Sequence, residues 1–329
     1  MVTRQPGRGL SPRTVWAAAA SAGLALDRLV GDPPDRLHPV AWFGAAMARA
    51  EQMWWSDDRS RGAAHAVVGA GGAALAGGLL RRAGRAAGPA GEAAVAVALA
   101  ATVIGARSLD LRAGEIRSAL AAGRVEEARR LLPALVGRDP AGLDQAEIAR
   151  AVVESLAENS VDAVVAPLLW AAAAGPAGAA AYRAVNTLDA MVGHRSTRYR
   201  RFGWASARLD DIANYLPARL SAAAIAGLEP RRAAAVVRAV ITQAPAHPSP
   251  NAGVIEAAFA AALGLRLGGN NSYGGLSEQR ARLGYGRAAE PADIDRARRL
   301  ARRLHWSVAA ALAAPLAARL AGRPIGRRR

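Results

Sequence analysis

Six apolar runs constrain this chain more than any other feature of its sequence. They lie at about 14–23, 62–80, 89–106, 163–181, 212–228 and 306–322. Most of them approach the roughly 17–25 residues that a membrane-crossing helix needs. They are rich in Ala and Gly, which suits close helix packing in lipid, and Trp16, Trp170 and Trp306 fall within the runs or near their ends, as interfacial anchors do.

The competing interpretation is a soluble bundle with buried helices, which a mean hydropathy of only +0.08 favours. We prefer the membrane, and expect an all-α, polytopic integral membrane bundle. No strand-period alternation of useful length occurs in the 329 residues.

Composition excludes several classes of protein. The net charge is +17, and all 43 cations are arginine. They are dispersed among apolar runs, with 5% aromatics and no zinc-finger, basic-zipper or aromatic-platform pattern, which argues against nucleic-acid binding. The absence of cysteine excludes disulfides and thiolate metal sites. No Walker A, dinucleotide GxGxxG, GxSxG or HExxH motif is present.

The organisation predicted is a single membrane-embedded domain over 1–329. It carries a cytosolic insertion of amphipathic helices at about 107–160, broken at Gly123 and capped again at Asp144, and polar site loops at about 182–214 and 245–286. If every run crossed the membrane, the polar stretches would lie on opposite sides. Because Pro and Gly interrupt 163–181, and Pro217 and Arg219 interrupt 212–228, we expect these two runs to be re-entrant or buried in protein.

The first polar constellation consists of acidic residues at four-residue spacing. Glu154, Glu158 and Asp162 would share one face of a helix where it enters an apolar run. Carboxylates beside a membrane segment are costly unless an arginine or a cation pairs with them. A solvated helix face is the alternative, and we favour a magnesium ion or an arginine partner.

The second constellation lies between the fourth and fifth runs. Asp210 and Asn214, one helical turn apart, offer the oxygen ligands that Mg²⁺ prefers, and the arginines offer planar forks for phosphate or carboxylate. A polar surface loop is the alternative. The candidate residues of this stretch are Asn186, Asp189, His194, Arg195, Arg201, Arg208, Asp210, Asp211 and Asn214.

The third constellation follows Pro248 and Pro250, where a rigid loop leads into a short helix and then a flexible glycine turn. His247 is a candidate acid or base, although a structural histidine is the more common case. The amide and phenol groups that can bind a ligand here are Asn251, Asn270, Asn271 and Tyr273. Near the N-terminus, turn chemistry explains the Asp-Pro and His-Pro steps of GDPPDRLHPV without a function.

Taken in order, these blocks resemble the CobD/CbiB family of adenosylcobinamide-phosphate synthases, which are membrane proteins of cobalamin biosynthesis. The matching strings extend from the first apolar run to about residue 286. They are GDPPDRLHPV, VGRDPAGLDQAEIARAVVESLAENSVDAVVAPLLW, YRAVNTLDAMVGHRSTRYRRFGWASARLDDIANYLPARL and HPSPNAGVIEAAFAAALGLRLGGNNSYGG. The Ala-rich second and third runs and the arginine-rich tail depart from the family pattern.

The resemblance implies a carbon–nitrogen ligase that joins a propionate carboxylate of adenosylcobyric acid to (R)-1-amino-2-propanol or its phosphate ester. Such a condensation needs activation, for which ATP and Mg²⁺ are expected as co-substrate and cofactor. From chemistry we assign Glu154, Glu158, Asp162, Asp210 and Asn214 to the metal. Catalytic roles are assigned to His194, His247, Arg195, Arg201, Arg208 and Asp211, and substrate or nucleotide binding to Asn159, Asn186, Asp189, Asn251, Asn270, Asn271 and Tyr273.

Two alternatives remain open. One is a membrane signalling or sensory protein of the same superfamily without catalysis, and the other is an intramembrane, Mg²⁺-dependent phosphotransferase or prenyltransferase. We expect a multi-pass protein of the cell membrane with its active face in the cytosol, where ATP is available. The other expected partners are the corrinoid, the aminopropanol and lipid, with a homo-oligomer as a further possibility and no nucleic acid.

Overall fold

The structure is a computed structural model that describes residues 11–137, 139–194, 196–273 and 276–321. The side chains of Asp35 and of residues 270–278 lie outside the described set. The first half of the chain forms helices α1 (Pro12–Val30), α2 (Pro39–Trp54), α3 (Arg59–Ala86), α4 (Pro89–Val103), α5 (Ala106–Ala121) and α6 (Val125–Leu131). The second half forms α7 (Gln145–Ser160), α8 (Ala166–Val192), α9 (Trp204–Leu228), α10 (Ala233–Thr242), α11 (Ala252–Leu263), strands β1 (Leu267–Tyr273) and β2 (Leu276–Leu283), and α12 (Pro291–Ala321).

Side-chain caps fix several helix starts, because the first N–H groups of a helix lack partners within it. Ser11 caps α1, and Asp58 accepts from two backbone N–H groups at the start of α3. Asp144 and Glu147 form a reciprocal capping box at the start of α7, which confirms the predicted cap. The predicted break at Gly123 is confirmed too, since this residue separates α5 from α6 with a φ of +73°.

Four helical stretches are long and apolar enough to cross a membrane, which confirms the predicted helical membrane bundle. They are Arg59–Ala86, Pro89–Ala121, Gln145–Val192 and Pro291–Ala321. The apolar runs 14–23 and 212–228 lie in α1 and α9, which are not among the four. Side chains of α3 such as Val67, Leu75 and Leu79 are exposed, as expected of a surface that faces lipid.

Small residues let α3 approach α8 closely. A methyl group at Gly77 would lie 2.5 Å from the carbonyl oxygen of Pro176, and one at Gly69 would lie 2.8 Å from Leu188. This is the packing that a Gly-rich and Ala-rich run permits in lipid.

The stretch Gln145–Val192, which comprises α7, the segment Val161–Val165 and α8, is the most buried of the four, with 61% of its apolar window inside the protein. Gly175, with a φ of +64°, and the following Pro176 interrupt it, and the Trp16 ring of α1 packs against this kink. The stretch that contains 163–181 is nevertheless long and apolar enough to cross a membrane, so its re-entrant or buried course stays a prediction.

The structure corrects the predicted site loops. Residues 182–192 belong to α8 and 204–214 to α9, so that the connection shrinks to 193–203. The 245–286 stretch contains α11 and an antiparallel hairpin, although the sequence showed no strand alternation. The strand LGGNNSY consists mostly of Gly and polar residues, so its sequence carries no period-2 signal.

Candidate functional site

A cavity of about 860 Å³ opens where α7, α8, α9, the 247–252 loop and strand β2 meet. All three polar constellations reach it, as the topology argument required. Its candidate residues from the sequence are Glu158, Asp162, Asp189, His194, Asp210, Asp211, Asn214, His247 and Asn251. Five of these nine are carboxylates, so the cavity is strongly acidic.

A short π-helical segment, Val161–Val165, joins α7 to α8 and places Asp162 on the cavity wall. Such segments are rare and occur often at functional sites. The Tyr182 hydroxyl shares its single proton between two acceptors, Oδ1 of Asn214 at 2.8 Å and the Asp162 carbonyl oxygen at 3.0 Å. Tyr182 thus ties the π segment to α9. Tyr182 was not singled out from the sequence, where a lone tyrosine just after an apolar run gives no signal.

Asp210 is held by two amide groups. Its carboxylate accepts from Nδ2 of Asn214 at 3.0 Å and from Nδ2 of Asn186 at 3.3 Å. Burial raises the pKa of Asp210 above its ordinary value, while the two amide hydrogen bonds act in the opposite direction. Asn186 therefore contributes by orienting Asp210.

Asp211 connects the cavity to the loop that carries the third constellation. Its carboxylate lies 3.5 Å from Arg208, and its backbone carbonyl accepts from Nδ2 of Asn251 at 2.8 Å. The Asn251 side chain also accepts from Arg219 at 3.1 Å, while Arg219 stacks on the Tyr215 ring. Asn251 is consequently fixed in position from two sides.

His247 is buried at the cavity wall. Its Nδ1 accepts from the backbone N–H of Ser249 at 3.1 Å, and its Nε2 lies 3.9 Å from Oε1 of Glu256. Glu256 was missed in the sequence, although a signal existed: it is the sole charged residue of the apolar helix AGVIEAAFAAAL. A histidine backed by a buried carboxylate is suited to accept a proton.

Glu154 does not join the other carboxylates, which corrects its assignment to the metal. It accepts from the backbone N–H of Gly268 at 2.7 Å and from Arg150 at 3.3 Å, and so holds the base of the hairpin. Each four-residue step overshoots a helical turn by about 40°, so Glu154 and Asp162 differ by about 80° before the π segment adds its own change. The spacing was therefore too long to keep all three on one face.

Other candidates lie away from the cavity. Asn159 donates to Ser155 of its own helix at 3.0 Å, and exposed Arg201 is not part of the cavity wall. Arg195 lies outside the described residues. Asn270, Asn271 and Tyr273 belong to β1, but their side chains are outside the described set.

The carboxylate oxygens that line the cavity are the type of ligand that Mg²⁺ prefers. Within the described part of the chain, no three His, Asp or Glu side chains lie close enough to bind one ion by themselves. Mg²⁺ in proteins is commonly held by one or two carboxylates together with waters and substrate phosphate. Asp162 and Asp210 are the residues that would hold it here. The metal set predicted from the sequence is thus not a preformed cage.

The fold and the cavity together define a polytopic helical membrane protein with an acidic site inside its bundle. The chain belongs to the CobD/Cbib protein family, whose model matches residues 20–301.

Three proteins named "Cobalamin biosynthesis protein CobD" are similar to it over most of their length. The Mycobacterium bovis protein is 47% identical over 298 residues, covering 88% of this chain and 93% of the relative. The Chromobacterium violaceum protein is 44% identical, covering 87% and 92%. The Rhodobacter capsulatus protein is 42% identical, with the same coverages of 87% and 92%. No solved structure gives a significant match.

Proposed function

We propose that the chain acts in cobalamin biosynthesis as an amide synthase. It would join a propionate carboxylate of adenosylcobyric acid to (R)-1-amino-2-propanol or its phosphate ester. In the first step the carboxylate attacks the γ-phosphorus of ATP, giving an acyl phosphate and ADP. The amine then attacks the acyl carbon, loses a proton to a base, and expels inorganic phosphate as the amide forms.

One observation carries this proposal: polar residues from three distant stretches of an otherwise apolar membrane chain meet in one cavity. A transducer without catalysis does not require such a meeting of five carboxylates, a buried histidine and fixed amides. Membership of a family whose relatives are named for cobalamin biosynthesis supports this reaction over a phosphotransferase or prenyltransferase.

The residues divide the work as follows. Asp162 and Asp210 would hold Mg²⁺, which when bound offsets the charge of the nucleotide phosphates. Arg208 is not part of the cavity wall, but it lies 3.5 Å from Asp211, which is, and so would offer its guanidinium to a phosphate or carboxylate that enters beside that residue. His247 takes the proton that the amine nitrogen releases as it attacks the acyl carbon, with Glu256 stabilising the imidazolium that results.

The cavity of about 860 Å³ is in the size range of small-ligand sites. A corrinoid exceeds that range, so the propionate arm would enter the cavity while the macrocycle stays outside. We expect the open side of the cavity to face the cytosol of a cell-membrane protein, where ATP is available.

The test is to give the purified protein adenosylcobyric acid, Mg-ATP and either aminopropanol or its phosphate, and to detect the amide by mass spectrometry. We expect one amide per ADP released, and omission of ATP should abolish it. ATP hydrolysis without amide, or neither product from either amine, would contradict the proposal.

A matched pair of arginine variants tests the site itself. Arg208→Lys should lower turnover about tenfold, because a point charge does not reproduce a bidentate fork. Arg201→Lys, seven residues away and with no described ion pair to a cavity carboxylate, should keep normal turnover. Equal effects of the two substitutions would remove Arg208 from the reaction.

A further inference from the structure

A second cavity, of about 700 Å³, lies between the first turn of α7 and the base of the hairpin. Four arginines line it, and they come from three separate elements: Arg150 of α7, Arg266 of the α11–β1 connection, and Arg280 and Arg282 of β2. Arg280 and Arg282 both line the cavity, at the point where a β-bulge shifts the register of the two strands.

The two carboxylates that line this cavity are already engaged. Asp144 and Glu147 bond each other's backbone N–H groups at 2.8 and 2.9 Å in the capping box of α7. Because Arg150 is paired with Glu154 at 3.3 Å, the other three arginines against the two carboxylates leave the wall with one net positive charge. The electrostatics therefore favour an anion, in contrast to the acidic first cavity.

Hydrogen bonds between α7 and the base of the hairpin hold part of the arginine-lined wall in place. Arg150, with only 12% of its side chain exposed, donates to the Gly268 carbonyl at 2.6 Å, and Glu154 accepts from the Gly268 N–H. Gly268 has a φ of +77°, and a methyl group there would lie 2.0 Å from the carbonyl oxygen of Ala281. Only glycine allows the hairpin to close against α7 in this way, which sets the shape of the cavity.

Arg280 lines both cavities. An anion held among the four arginines thus lies next to the acidic site rather than at a remote surface. We infer that the second cavity binds a polyphosphate, and that it receives the phosphates of the nucleotide whose terminal phosphoryl group is used in the first cavity. The nucleotide assignment rests on the proposed function, whereas the anion site rests on the arginine geometry alone.

A triphosphate fits this wall better than a phospholipid head group does. A phosphodiester carries one negative charge, while a triphosphate offers several charged oxygens to the planar guanidinium groups of this arginine-lined wall. The lipid head group is the other source of the same chemistry, and the test separates the two.

The binding probe is inorganic tripolyphosphate, measured by calorimetry with the full chain in an uncharged detergent. We expect the double variant Arg266→Gln, Arg282→Gln to bind it at least tenfold more weakly than the parent chain. Both residues are exposed, so their replacement should leave the fold intact. Arg130→Gln, an exposed arginine on α6, is the matched control and should bind normally. Unchanged affinity in the double variant would overturn the inference.

A second measurement does not depend on a variant folding. Phenylglyoxal modifies accessible arginines, and mass spectrometry reports which ones. Tripolyphosphate should protect Arg266 and Arg282 but not Arg130. Equal labelling with and without the probe would overturn the inference.

Two further arms identify the source of the phosphate. Nanodiscs of phosphatidylglycerol should leave tripolyphosphate binding as it is in phosphatidylcholine nanodiscs, and competition by phosphatidylglycerol would overturn the assignment to a nucleotide. If tripolyphosphate binding depends on Arg266 and Arg282 while the parent chain makes no amide, the proposed function fails and the anion site stands.

Discussion

Nδ2 of Asn214 lies 3.0 Å from Oδ2 of Asp210, one helical turn earlier on α9. The other side-chain atom of Asn214, Oδ1, accepts from the Tyr182 hydroxyl at 2.8 Å. Both ends of this buried amide are thus occupied. Asn214 therefore orients Asp210, and its assignment as a metal ligand stays a prediction.

The first prediction follows from this double engagement. Asn214→Ala should leave the Tyr182 hydroxyl and Asp210 each short of a partner, at a cost of about 1–3 kcal/mol in the free energy of unfolding. Turnover should fall at least tenfold because Asp210 loses its orientation. Thermal unfolding in detergent and amide formation measure the two effects.

Asn159→Ala is the control for that experiment, since Asn159 bonds only Ser155 of its own helix among the contacts described for it. It should leave turnover unchanged. If Asn159→Ala reduced turnover as much as Asn214→Ala, orientation of Asp210 would not be the reason for the loss.

The second prediction concerns the contact between α3 and α8. Gly77→Ala places a methyl group 2.5 Å from the Pro176 carbonyl oxygen and should destabilise the fold by about 1–3 kcal/mol. At the neighbouring Gly78 nothing lies within 4 Å of the added carbon, so Gly78→Ala should be neutral or slightly stabilising. A comparison of melting temperatures in the same detergent decides, and equal values would mean that the helices are farther apart than described.

The third prediction concerns pH. Asp27 lies at the end of α1, outside the four membrane stretches, and burial raises its pKa to about 6, although a hydrogen bond from the Arg107 backbone N–H acts in the opposite direction. The folded chain therefore holds this proton more tightly than the unfolded chain. Its contribution to stability is full below about pH 4, declines as the pH rises to about 6, and stays reduced above that.

Asp27→Asn cannot ionise, and its amide oxygen can still accept from Arg107. The difference in melting temperature between this variant and the parent chain should therefore shift in favour of the variant between pH 4.5 and pH 7.5. Asp57→Asn, at an exposed position, should show no such difference. A pH-independent effect of Asp27→Asn would mean that Asp27 is not the titrating group.

The fourth prediction concerns topology. The chain has no cysteine, so single cysteines can be labelled without background. Ala146 and Ser196 line the second and first cavities, which share Arg280. Cysteines at these two positions and at Ser272 should react with a membrane-impermeant thiol reagent in inverted vesicles and not in intact cells. Labelling of Ser196→Cys from the opposite face would place the cavities on different sides of the membrane.

The sequence by itself determined the class of fold and the family. Apolar runs of membrane length, the break at Gly123 and the cap at Asp144 are local signals, because helix length and capping depend on residues within a few positions of each other. The ordered polar strings were specific enough to identify the family. The sequence also predicted that the polar stretches meet, because Pro and Gly interrupt the runs at 163–181 and 212–228 and so allow the stretches to share one side of the membrane.

Only the tertiary structure decided which polar residues meet. Glu154 and Asp162 lie eight positions apart. Glu154 accepts a hydrogen bond from Gly268 of the hairpin, whereas Asp162 lies in the π segment and lines the cavity. The link from Tyr182 through Asn214 to Asp210, and the pairing of His247 with Glu256, join side chains on different elements. Periodicity assigns a residue to a face of its own helix, but the partner of that face is set by how helices far apart in sequence pack together.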